Sequence, residues 1–381
     1  MKRFIACAMA LIMCFSCVLA EDTSIDEQLA KLFKGHKTTG ATLVVAKEGK
    51  IVYEYYYGYA DKKTQDAVDA DTCFRTASVT KLISGIHVMQ LVEQGLLDLD
   101  ESIGTYLGYE VKNHYHPEVP VTLRQLMSHT SSLNPNGGYS RTGRTLRQLL
   151  DAENNAWGNW YDEMPGSKYR YSNFGAGVMG SLVEAVTGKN INDSVTEGLF
   201  APLGINAAYH PSLLSVPDNA VSQYDPTGKQ VKSRQMALDS EWDPGVDPDN
   251  HYRITVGSVW INGRDLCRLG IMMAQTGMLD NTRILKPATV QMMMADQKGQ
   301  GHVKANTPYG LCVNRVDNLL DDRMIYGHQG LSDGVLCNLY WDPQTQLVFA
   351  LITNGSSVNM NDRIGKLSRK TFAVIWEAFG E

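Results

Sequence analysis

The chain has 381 residues, a formal net charge of −6, and 43% hydrophobic against 20% charged residues. That length supports one large core or two lobes. The acidic balance argues against nucleic acid or an anionic membrane as partner.

The first twenty residues read as a leader rather than part of the fold. Lys2 and Arg3 make a basic start, Phe4 to Ala20 is almost all apolar or cysteine, and Val18-Leu19-Ala20 offers small residues for cleavage. Processing near Ala20 leaves 361 residues with charge −8 and predicts a periplasmic or secreted protein. Lipid anchoring at Cys17 is the weaker alternative, because Cys14 stands where an aliphatic residue is wanted. No later stretch is apolar for long enough to span a bilayer. Four cysteines follow the leader: Cys73, Cys267, Cys312 and Cys337. None form a close pair and three have apolar neighbours, which favours buried thiols over a disulfide framework.

Ile25 to Phe33 predicts a short amphipathic helix. Ala41 to Ala46 and Lys50 to Tyr57 predict two strands joined through Glu48-Gly49. The period then turns helical at 78–94, 122–128, 145–152 and 175–187, with Gly95, the Gly137-Gly138 pair and Gly188 as stops or loops. Residues 208–250 carry many Pro, Asp, Ser and Gly and read as surface loops. Strand character returns at 310–316, 334–340 and 346–353, and 362–379 predicts a closing helix. Strands near both termini with helices between them predict one lobe built from about 21–76 and 251–381, and a mainly helical insertion at about 77–250. The two lobes together make a single domain over 21–381.

Chemistry concentrates in three places. Ser78-Val79-Thr80-Lys81 puts a hydroxyl and an amine on one helical face, one turn apart. Val79, Leu82, Ile83 and Ile86 recur at core spacing, so Lys81 loses solvation there and either finds partners or gives up its proton. A lysine in that state beside a serine is one way to make a nucleophile. The bland alternative is a capping serine and a snorkelling lysine. Next, Tyr171 and Asn173 follow the Pro165-Gly166 turn and precede a helix. Tyr171 can accept the Ser78 proton if nearby positive charge lowers its pKa, and the Asn173 amide can bond both Lys81 and a substrate carbonyl. Packing and capping explain the same two residues without chemistry. The third place is Tyr326-Gly327-His328-Gln329-Gly330-Leu331, whose glycines let backbone approach a ligand, and whose N–H groups can complete an oxyanion hole.

Serine, then tyrosine, then His-x-Gly in this order resembles the penicillin-recognising serine hydrolases. That family includes class C β-lactamases, D-alanyl-D-alanine carboxypeptidases, D-amino-acid peptidases and related esterases. The stretches 95–100, 122–133, 199–204 and 283–287 are similar to family text, although Ser132 stands where a glycine is usual. The resemblance implies an α+β, β-lactamase-like fold: an antiparallel sheet flanked by helices, with the helical lobe inserted. It also implies Ser78 as nucleophile, Lys81 as its activating partner and Tyr171 as proton shuttle. Asn173 then orients Lys81 and the substrate, His328, Gln329 and Gly330 line the site, and the N–H groups of Ser78 and Leu331 form the oxyanion hole. Neither cofactor nor metal is implied. The partner is a small peptide, amide or ester substrate, and a monomer is expected.

The third motif departs from the Lys-Thr-Gly of dedicated lactamases. His328 is mostly neutral at pH 7, and Gln329 removes the hydroxyl. This tilts the reading toward a D-amino-acid peptidase, amidase or esterase, with carboxypeptidase or class C-like β-lactamase as alternatives. A non-catalytic penicillin-binding or sensor protein is a further alternative, disfavoured because Ser78, Lys81, Tyr171 and Asn173 are all kept. His114-Tyr115-His116 has no third ligand nearby and reads as a loop rather than zinc. His129 reads as structural. Trp157, Trp160 and Tyr161 suit a groove wall or plain packing equally. Asp162 and Glu163 fit deacylation less well than the tyrosine motif. The role of Gly257-Ser258 stays open.

Overall fold

The computed structural model describes residues 24–141, 143–153, 157–297, 309–320, 323–361 and 364–380. The leader and Cys17 therefore lie outside the described residues. The first helix, α1 (Ile25–Gly35), starts in a capping box between Ser24 and Glu27 and buries Leu29 and Phe33. The strands β1 (Gly40–Lys47), β2 (Lys50–Asp61), β3 (Asp66–Ala67) and β4 (Cys73–Arg75) follow. Next come α2 (Val79–Glu93), α3 (Asn173–Thr187), β5 (Trp260–Asn262) and α4 (Gly263–Ala274). The chain ends with β6 (Asn314–Val316), β7 (Ile325–Ser332), β8 (Val335–Trp341), β9 (Val348–Thr353) and α5 (Lys366–Phe379).

Seven strands form an antiparallel sheet in the order β6-β7-β8-β9-β1-β2-β3, so the N-terminal hairpin pairs directly with the last strand. Alternation along β1 explains the layering. Ala41, Leu43 and Val45 pack with Leu29, Phe33, Leu367, Phe372 and Ile375 of α1 and α5. Val44 and Ala46 pack on the other face, in the core that contains α2, α3 and α4. Both faces being covered accounts for the nearly continuous burial of β1, β8 and β9.

Helix α2 is buried at every position from Val79 to Leu91, the pattern of a central rather than a surface helix. Helix α3 starts two residues earlier than its periodicity indicates. Ser172 caps it by accepting from the Gly175 N–H at 3.1 Å, and Gly188 ends it at φ 63°. The strand expected at 310–316 shortens to β6, and the stretch 208–250 is less superficial than its composition suggests. It buries Tyr209, Ala220, Val221, Tyr224 and Ala237, and contains the helix Arg234–Leu238. All four described cysteines are buried and free of disulfides. No described helix is long and apolar enough to cross a membrane.

Candidate active site

Ser78 immediately precedes α2, yet its side chain caps nothing. The preceding Ala77 has φ 46°, a left-handed conformation uncommon for alanine, and it turns β4 into α2. Lys81, one turn on, is fully buried. Its Nζ lies 3.0 Å from Ser78 Oγ and donates to the Val256 carbonyl at 2.7 Å. No carboxylate pairs with it among the described residues, so burial pushes its pKa down to about 7. The capping-serine, snorkelling-lysine alternative is thereby excluded. Val256 belongs to the turn Ile254–Val256 held against α3, where the Thr255 hydroxyl donates to the Ala176 carbonyl at 2.8 Å. Gly177 permits that contact, since a Cβ there would lie 1.8 Å from the Tyr252 carbonyl. The segment around Gly257, whose role the sequence left open, thus carries Lys81's second partner.

Tyr171 reaches Ser78 with its hydroxyl, and its ring centroid lies 5.2 Å from Lys81 Nζ. Its pKa moves opposite to expectation. Desolvation of the hydroxyl outweighs the Ser78 hydrogen bond and pushes the phenol up, even though two-fifths of the residue surface stays open to the cleft (40%). The expected lowering needed a persistent cation beside the phenol, and a half-neutral Lys81 is a poor one. Asn173 also differs from expectation. Ser172 takes the capping role, Lys81 bonds elsewhere, and Asn173 Oδ1 is buried without a partner while the residue lines the cleft.

The strand wall is organised by parity. Gly330 approaches the start of α2 so closely that a Cβ would lie 2.9 Å from Ser78 N and 2.2 Å from the Thr76 carbonyl. His328 points to the same face and is buried. Its Nδ1 lies 2.8 Å from the Gln329 carbonyl and its Nε2 2.7 Å from the Tyr309 hydroxyl. A carbonyl only accepts, so Nδ1 carries the proton and Nε2 accepts from Tyr309. Burial, helped by the Lys81 charge, pushes this imidazole down to about 3. His328 is a neutral, fully engaged wall residue and not a carboxylate clamp. Gln329 points to the opposite face, where its Oε1 accepts from the Gly365 N–H at 2.9 Å. It is accordingly not the side-chain substrate contact the sequence suggested, although the residue still borders the cleft.

The turn Asp333-Gly334 has φ 45° and 82° and closes the β7–β8 hairpin on the Ser332–Val335 pair. Two positive φ values mark a type I′ turn, so the closing pair is hydrogen-bonded and pairs alternate from there. The Leu331–Leu336 pair is then non-bonded, which turns the Leu331 N–H away from β8. The Leu336 N–H agrees, donating to Thr353 Oγ1 on β9 at 3.0 Å. Strand β6 covers β7 only from Ile325 to Gly327, so Leu331 lies on a free edge. Among the described residues the Ser78 N–H has no backbone partner either.

These groups line a cleft of about 350 Å³ that also contains Tyr169, Asn314, Arg315 and Asn318. Residues 24–370 match the Beta-lactamase family. The chain belongs to that family, and it is a serine hydrolase. It is 28% identical over 339 residues to penicillin-binding protein 4 of Amycolatopsis lactamdurans, covering 86% of this chain and 84% of that one. The octameric penicillin-binding protein homologue from Pyrococcus abyssi superposes with a TM-score of 0.70 at 17% identity, over 94% of this chain and 77% of that one. D-alanine carboxypeptidase AmpC from Burkholderia cenocepacia gives 0.69 at 19% identity, over 93% and 97%. At such identities the solved structures speak to the β-lactamase fold alone.

Arg315 in this family member's cleft and Tyr309 behind it were not marked by the sequence, and His129 supports the site from behind. Arg315 pairs with Asp296 at 3.2 Å, and its Nε is buried without a partner. Tyr309 fixes His328, and nothing in its local sequence marks it. His129, read as structural, packs its ring 4.3 Å from that of Tyr171 and 4.6 Å from that of Tyr309. Its φ of 57° and the Ser172 N–H donating to its Nδ1 hold it there. Ser132, the substitute for a usual glycine, sits at φ 59°, which explains the usual residue. Trp160 is core, and Glu163 is tied to Arg170 and Lys168, so both are packing rather than chemistry. The His116 ring bonds the Asp162 carbonyl at 2.9 Å, and no metal-ligand cluster occurs among the described residues.

Proposed function

We propose that this protein is an exported hydrolase that cleaves amide or peptide bonds of small D-amino-acid-containing substrates, or the corresponding esters, through an acyl-enzyme on Ser78. One observation carries the reading: a serine hydroxyl 3.0 Å from a buried lysine amine held near neutrality, without a carboxylate partner. Neutral Lys81 takes the Ser78 proton as Oγ attacks the carbonyl carbon. The tetrahedral oxyanion is held by the N–H groups of Ser78 and Leu331. Tyr171, kept protonated by burial, donates to the leaving amine or alkoxide and recovers its proton through Lys81. Water then repeats the path in reverse and frees the acid. Asn173 Oδ1, unpartnered, accepts from the substrate amide. The leader-like start supports export.

The D-amino-acid preference comes from the family resemblance read in the sequence, and the carboxypeptidase named above supports the fold alone. A second reading, D-alanyl-D-alanine carboxypeptidase, is favoured by Arg315, which brings positive charge into a cleft whose third motif has none. Labelling by a fluorophosphonate or a fluorescent penicillin, read by intact mass, tests the acyl-enzyme. Matched D-Ala-D-Ala peptides ending in acid or amide then separate the readings. A preference above ~100-fold for the acid, about 2.8 kcal/mol of transition-state binding, that collapses in Arg315→Gln establishes the carboxypeptidase. A small preference retains the broader amidase and esterase reading.

A further inference from the structure

A second cavity, of about 620 Å³, shares no lining residue with the catalytic cleft but abuts the segment that holds Lys81. Ser258 lines it, and Arg75, at the end of β4, donates from Nε to the Gly257 carbonyl at 2.7 Å. That bond anchors the guanidinium of a residue that lines the cavity. Lys232 also lines the cavity. Among the described residues neither cation makes an ion pair, and the Arg75 charge disfavours the charged form of Lys232. Burial penalises both charges.

The acids nearby are poorly placed to relieve it. Glu241 is exposed at the rim, and Asp243, mostly exposed, faces His251 Nε2 at 3.7 Å. Asp333 acts on Arg75 only through space. The His210 ring is neutralised by burial and has both nitrogens engaged, by Ser212 and Ser240. Trp242 lies against that ring at 5.9 Å, and buried Trp260 adds a second indole. Two unpaired cations, one of them anchored, together with two indoles in one cavity describe a receptor for something acidic at one end and apolar at the other.

We propose that this cavity binds a small organic anion, with its carboxylate or phosphate group between Arg75 and Lys232 and its apolar body against Trp242 and Trp260. Calorimetric titration of the mature protein with phenylacetate, phenyl phosphate and the neutral analogue phenylacetamide tests it. The expected result is saturable 1:1 binding of at least one acid, about tenfold or more tighter than the amide. Whichever acid binds tighter identifies the head group. Lys232→Met should weaken the acid about tenfold or more and leave the amide unchanged, and Trp242→Ala should weaken both. Binding should persist in Ser78→Ala and after the cleft is blocked by a fluorophosphonate. No saturable binding, equal binding of acid and amide, indifference to Lys232→Met, or loss on blocking the cleft would each overturn the proposal.

Discussion

The two walls of the catalytic cleft treat a buried base in opposite ways. On the helix wall, Lys81 has one hydroxyl and one carbonyl for company and stays near neutrality, able to gain or lose a proton around pH 7. On the strand wall, His328 has both nitrogens committed and is driven so far down that it does not titrate near physiological pH. Burial lowers both by a similar amount, and the difference in outcome comes from where they start, 10.5 for the amine and 6.5 for the imidazole. The partners of Lys81 suit either state: the carbonyl and the hydroxyl accept from the ammonium, and the hydroxyl can turn to donate to the neutral amine. The Tyr309 hydroxyl, by contrast, donates to His328 only while its Nε2 is bare. The same desolvation therefore brings a lysine into the working pH range and takes a histidine out of it.

The largest expected effect breaks the helix wall. Ser78→Ala should abolish covalent labelling and lower kcat/KM by about 10⁴-fold or more, while stability stays within about 1 kcal/mol. Retained labelling at full stoichiometry would remove Ser78 from the mechanism. Lys81→Met, which roughly keeps the buried volume, should cost about 10²–10⁴-fold in acylation. On the proposed mechanism the free amine is the active form, so kcat/KM in the wild type should rise with pH through about 7 and level off above it. That acid limb should vanish in the methionine variant. Tyr171→Phe combined with Lys81→Met should cost much less than the product of the single losses, since both serve one proton path. Multiplicative losses would separate the two residues.

The helix wall was legible in the sequence because a helix fixes relative direction: residues three apart share a face wherever the helix sits. Their spacing alone places Ser78 and Lys81 together. The strand wall was legible only as a motif. In a strand, neighbours point to opposite faces, and which face meets the site depends on what the sheet packs against. His328 and Gln329 looked equivalent in sequence, yet one faces α2 and the other faces Gly365 next to α5. Tyr309 and Arg315 were invisible for a related reason. Each acts through a partner distant in sequence, and neither stands in a pattern with its own periodicity. The sheet itself could be anticipated from β-rich segments at both ends. The covering of both its faces could not, because it depends on how β1 divides its residues between two cores.

A middle-sized effect tests the strand wall. Tyr309→Phe leaves the buried His328 Nε2 without its donor, a loss of about 1–3 kcal/mol in denaturant unfolding, with kcat/KM within about tenfold of wild type. The pH dependence has a definite sign. Because the folded-state pKa of His328 lies below the ordinary value of 6.5, its contribution is present above pH 6.5 and is lost as pH falls from there toward about 3. The phenylalanine variant should show a shallower acid loss, since part of the preference for neutral imidazole has gone. A variant as steep as wild type would mean that desolvation alone sets His328.

The smallest effect concerns Gln329, where motif and geometry disagree most directly. As a substrate contact, its truncation should raise KM and change selectivity between acid and amide substrates. As placed, its amide oxygen accepts one backbone N–H from Gly365 on the face away from Ser78. Gln329→Ala then removes a neutral, half-buried hydrogen bond between β7 and the entrance to α5, a loss of about 0.5–1.5 kcal/mol in unfolding free energy. KM and the acid-to-amide ratio should stay as in wild type. Gln329→Glu sharpens the test, because a carboxylate still accepts from Gly365 and adds a negative charge behind the cleft. Stability should be largely retained, and an acidic substrate should be disfavoured only as far as through-space repulsion across the strand allows, at most a few-fold in salt. A large rise in KM in Gln329→Ala with unchanged stability would put the amide back in the substrate site and require β7 to rotate when substrate binds.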